Sequence, residues 1–70
     1  MTEIFKTNVQ TEIEALLLTR LLGKIFSEAK INFDLEDCDK ILRIEGLRKN
    51  NNQIIIDDLN KYGFCCEVLN

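Results

Sequence analysis

The chain has 70 residues, 46% of them hydrophobic and 30% charged, with a formal net charge of −3. That length allows one small domain, residues 1–70, and the composition is that of a globular chain. The negative balance argues against nucleic acid as a partner, the absence of histidine removes every His-based triad and metal site, and no run of about 18 apolar residues is present to span a membrane. The three cysteines are an odd number and no secretory leader is evident, so a reducing, cytoplasmic setting is expected.

The first expected element is a strand over residues 3–8, where Phe5 and Thr7 alternate with Lys6 and Asn8. Thr11-Glu12-Ile13-Glu14 fits a capping box and predicts a helix from there to about Phe26. Ile13, Leu17, Leu21 and Ile25 recur every four residues, with Leu18 and Leu22 beside them. They are expected to form the buried stripe, and Leu16 falls outside it. Ile31-Asn32-Phe33-Asp34-Leu35 and Ile41-Leu42-Arg43-Ile44-Glu45 each alternate. Joined by the polar turn 36–39, they predict a hairpin with Leu42 and Ile44 inward.

Residues 48–52 read as a polar loop whose asparagines can cap a second helix. Three β-branched residues, Ile54 to Ile56, favour a strand, but the segment through Tyr62 favours a helix ended by Gly63 in the left-handed conformation. Ile55, Leu59 and Tyr62 then share one face. Residues 64–69 close the chain as a strand, with Phe64, Cys66 and Val68 on one face and Cys65, Glu67 and Leu69 on the other.

The order is βαββαβ. The expected fold class is α+β: a ferredoxin-like sandwich with an antiparallel sheet in the order 4-1-3-2 and two helices on one face. The other face should be wet and carry Ile4, Lys6, Asn32, Asp34, Ile41, Arg43, Glu45, Cys65 and Glu67.

The segments Phe33-Asp34-Leu35-Glu36, Lys40 to Gly46, Ile55 to Phe64 and Cys66-Glu67-Val68 resemble the second hairpin, last helix and last strand of heavy-metal-associated domains, the family of copper chaperones. The resemblance implies metal handling at a Cys-x-x-Cys motif after the first strand. The matching stretch here, residues 8–15, holds neither cysteine nor methionine, and soft ions need soft ligands. The fold is therefore expected to carry over, and the metal-binding residues are not.

Cys65 and Cys66 would sit near that loop. With Cys38, they are the candidate ligands for a soft ion such as copper or zinc, or for a redox-sensitive disulfide. Adjacent strand residues point to opposite faces, so Cys66 should face the core and Cys65 water. Cys38 should lie about two strand spacings, roughly 10 Å, from the last strand, too far for a disulfide without loop movement. Otherwise no cofactor is expected. Asp34, Glu36, Asp37 and Asp39 form an acidic group that reads as a solvated turn, with a hard cation as the alternative. Arg48 and Lys49 precede a helix N-terminus, where an anion could bind, but no glycine-rich loop accompanies them. An RNA-binding reading needs aromatics at the sheet centre, and Lys6 and Arg43 stand there instead. Ser27 and Tyr62 have no identifiable base and no cation stands beside Cys65, so no enzyme is expected.

Two functions follow. The first is a non-enzymatic interaction domain binding a protein partner, or a second copy of itself, through sheet edges, with Leu16 and Ile54 as further contacts. The second is soft-metal binding or delivery through the relocated cysteines.

Overall fold

Capping and alternation set the limits of six elements in the computed structural model, which describes residues 1–48 and 50–69. They are β1 (Glu3–Thr7), α1 (Glu12–Ile25), β2 (Lys30–Asp34), β3 (Ile41–Glu45), α2 (Asn52–Lys61) and β4 (Cys66–Val68). The strands form one antiparallel sheet in the order β2-β3-β1-β4, as expected.

The capping box closes α1 as its sequence predicts. Thr11 Oγ1 accepts from the Glu14 amide at 3.2 Å, and Glu14 Oε1 accepts from the Thr11 amide at 3.1 Å. Gly63, at φ 89°, ends α2. Its amide donates to the Asn60 carbonyl and that of Phe64 to the Leu59 carbonyl, each at 3.0 Å, which is the Schellman pairing. The start of α2 differs from expectation. Asn51 holds the N-cap position without a side-chain bond, while Asn50 Oδ1 accepts from the Asn52 amide.

The final strand is shorter than residues 64–69. Phe64 spends its amide on the α2 terminus, and the Cys65 amide donates to Asn8 Oδ1 at 2.8 Å, so the ladder begins at Cys66. The same bond uses the Asn8 side chain just beyond the end of β1, which stops at Thr7.

The register builds the core. On one face of the sheet Phe33, Leu42, Phe5 and Val68 lie in a row, with Ile31 beside Ile44 in the next. Leu18, Leu22, Ile55 and Leu59 from the two helices join the same apolar cluster. Phe5, Leu42, Ile44, Leu22, Ile55 and Leu59 are fully buried.

Of the expected stripe of α1, Leu18 and Leu22 are buried, but they are joined by Ala15 and not by Ile13, Leu17, Leu21 and Ile25. Ile13 is 81% exposed, and Leu17 and Ile25 are half exposed. A four-residue repeat outruns the 3.6-residue turn, so it drifts by about 40° per step and about 120° over three steps. Ala15, Leu18 and Leu22 use mixed spacings of three and four and hold one azimuth. Tyr62 likewise stands out at the end of α2, while Ile55 and Leu59 are buried. On the open face Ile41 is buried, contrary to expectation. It stands between Lys6 and Asp34 in register, on a central strand of the sheet.

Two mutations separate the stripes. Leu18→Ala should cost about 2–5 kcal/mol in urea unfolding, because it opens a cavity under the sheet. Ile13→Ala should change stability by less than about 0.5 kcal/mol. Equal losses would contradict the assignment.

Candidate functional site

The end of the sheet where β1 leaves brings most of the candidate residues together. Thr7 is the buried polar residue there. Its hydroxyl donates to the Lys40 carbonyl and accepts from the Val9 amide, while its own amide donates to the Asp39 carbonyl at 3.0 Å. One threonine thus ties the β2–β3 turn to the loop that follows β1. On the other side of β1, Thr7 stands opposite Cys66.

Cys65 and Cys66 therefore border the loop after β1. With Lys6, Thr7, Asn8, Asn60 and Glu67 they line an open concavity of about 430 Å³. Cys65, just ahead of β4, is exposed to solvent, while Cys66 is half-buried against the core, as the sequence predicts. Burial, reinforced by the neighbouring Glu67 carboxylate, pushes the Cys66 thiol from an ordinary 9.0 up to about 12. A metal would have to displace a tightly held proton from it. All three thiols are free, and Cys38 is exposed on the hairpin turn. Because Asp39 bonds Thr7 and Thr7 pairs with Cys66, β1 lies between that turn and β4, so Cys38 is set apart from the pair. The loop itself, residues 8–11, offers no thiol or thioether, and a linear Cu(I) site cannot be built from it.

Cys38 instead clusters with Asp37 and Asp39, ligand atoms within 4.8 Å of one another. Asp37 Oδ1 accepts from the Asp39 amide at 2.9 Å and Asp34 Oδ1 from the Glu36 amide at 3.2 Å. Asp39 also approaches Lys6 at 3.8 Å. These are the self-bonded aspartates of a turn, with a surface ion pair across to β1. Arg48 is taken by Glu28 at 2.8 Å, and Lys49 lies outside the described residues.

A second feature lies at the far edge of the sheet. β2 pairs with β3 along all five of its residues and, among the described residues, has no ladder partner on its other side. A groove of about 280 Å³ runs beside it, lined by Glu12, Ala15, Leu16 and Thr19 of α1 and by Ile31, Asn32 and Phe33. Ile31 and Phe33 face the helices yet are only half-buried, whereas their neighbours Ile44 and Leu42 are fully buried. The sequence signal for this groove is Leu16, an apolar residue outside either stripe of α1.

No protein-family model matches the chain, and neither a curated protein nor a solved structure matches it significantly. Among the described residues, no helix is long and apolar enough to cross a membrane.

Exposure orders the thiols. Alkylation of the native protein should label Cys38 and Cys65 quickly and Cys66 slowly, read by peptide mass spectrometry; equal rates at Cys65 and Cys66 would contradict the placement. The Cys66 thiol also links stability to alkaline pH. The unfolded chain releases this proton from pH 9.0 and the folded chain holds it to about 12. Its contribution is therefore complete below the first value and lost on rising towards the second. Urea midpoints should fall more steeply with pH across that window in the parent than in Cys66→Ala, and parallel slopes would contradict it.

Proposed function

We propose that the chain is a small non-enzymatic interaction module that presents a sheet edge to a protein partner. In this reading the topology is ferredoxin-like and related to heavy-metal-associated domains, and the metal motif of that family is missing from residues 8–15. Three free thiols suit a reducing compartment such as the cytoplasm.

The observation that carries the reading is the β2 edge. A five-residue strand with a continuous register, no proline and two half-buried apolar residues, Ile31 and Phe33, has few of the devices that normally blunt an edge beyond its terminal charges, Lys30 and Asp34. Added strands bind such edges through main-chain hydrogen bonds, and pockets for alternate side chains give selectivity. Ile31, Phe33 and Leu16 supply those pockets here. The opposite edge, β4, has only three residues and is a weaker template.

A photo-cross-linking residue placed at Asn32, exposed on β2, tests this against the same residue at Lys61, exposed at the end of α2. Adducts to protein should form at position 32 and not at 61. Adducts at neither position, or at both alike, would overturn the reading.

A second reading, soft-metal binding, is favoured by the concavity that Cys65 and Cys66 share with the loop after β1. It requires tight one-to-one binding of Cu(I) or Zn(II) by the reduced protein in competition with a chelator, lost in Cys65→Ser. Binding no stronger than the chelator's, or binding indifferent to that substitution, would remove it.

A further inference from the structure

The residues of the β2 edge are complementary to themselves. Lys30, Asn32 and Asp34 are exposed on the open face, and Ile31 and Phe33 lie on the helix face. We propose that β2 pairs antiparallel with β2 of a second copy, on a two-fold axis through Asn32. The proposal deepens the interaction reading and rests on it.

That register sets Lys30 opposite Asp34 of the second copy, and by symmetry Asp34 opposite its Lys30. Ile31 then meets Phe33 of the second copy, twice, and Asn32 meets Asn32. Directly opposed opposite charges and aromatic–β-branched pairs are the combinations that stabilise antiparallel ladders. Sliding the pairing by one residue would put Lys30 against Phe33 and turn apolar side chains towards the wet face. Sliding it by two would leave strand residues unpaired at each end and break the Lys30–Asp34 match. Only the register centred on Asn32 uses the whole strand.

The flanking groove fits the same arrangement. Leu16 stands beside Ile31 and Phe33 and is 55% exposed. With two copies joined at β2, Leu16 from each α1 caps the new row of Ile31 and Phe33 from the helix side. The result is one eight-stranded antiparallel sheet with four helices on a single face. A self-complementary patch of this kind gives a closed two-fold dimer rather than an open chain. The strand is about 17 Å long, so the interface falls below the usual size for tight complexes and the dimer is weak and concentration-dependent.

Sedimentation equilibrium on the full chain up to about 1 mM should show reversible monomer–dimer exchange. Asp34→Lys, which stands opposite Ile41 within its own sheet and gives up the exposed turn bond to the Glu36 amide, should weaken the dimer roughly tenfold, because it sets like charges opposite each other twice. Lys30→Glu should weaken it similarly, and the Lys30→Glu/Asp34→Lys pair should recover most of the loss. Circular dichroism confirms that each variant is folded. A monomer throughout the concentration range overturns the proposal, and so does a dimer indifferent to Asp34→Lys. In either case, cross-links from position 32 to a different protein would keep the interaction reading standing without self-pairing. Cross-links from position 32 to nothing would end both.

Discussion

The central strand β1 is committed on every side, and its last residue, Thr7, is the point on which the arrangement turns. Burying a threonine hydroxyl costs free energy unless it is paired, and here it both donates and accepts. Those bonds draw in the Lys40 carbonyl and the Val9 amide, while the Thr7 backbone holds Asp39. Val9 can then be fully buried at the point where the chain crosses towards α1. With β1 paired to β3 and β4 along its length, any sheet edge open to a partner must be β2 or β4.

The two halves of the functional account therefore sit on different parts of the molecule. Two of the three thiols, Cys65 and Cys66, lie where β1 exits and β4 begins. The open strand, with Leu16 above it, lies at the other side of the sheet. A partner strand on β2 would leave the concavity beside Cys65 untouched, so the metal and interaction readings stand or fall separately. The chemistry of the thiol end weighs against a soft-metal site. Cys66 holds its proton strongly, and Cys38 is on the wrong side of β1 to complete a set with Cys65.

Local signals carried much of the fold. The Thr11–Glu14 box and the Gly63 stop are short-range devices, and each forms the hydrogen bonds its residues allow. Strand alternation is equally legible: it turns Cys66 in and Glu67 out, and sets Leu42 and Ile44 in the core. The helix face of α1 was not, because that helix is apolar nearly all round, and periodicity alone does not choose between two stripes. The choice is made by tertiary contact, since Ala15, small enough for close approach, sits with Leu18 and Leu22 against the sheet. The burial of Ile41 is not legible locally for a related reason: its register neighbours, Lys6 and Asp34, belong to other strands. The role of Thr7 is only half local: its hydroxyl accepts from the Val9 amide two residues on, but the carbonyl it donates to lies 33 residues away. The self-complementarity of β2, by contrast, is written in five consecutive residues and acquires meaning once the sheet order leaves that strand at an edge.

The most direct test is a dilution series followed by residue-resolved NMR of the amides, from about 1 mM to about 20 μM. The account predicts that the amide shifts of Lys30 to Asp34, with that of Leu16, move together with concentration, while those of β4 stay fixed. Shifts that stay constant throughout the chain, or that move at β4 or the outer face of α1 while β2 is silent, would contradict it.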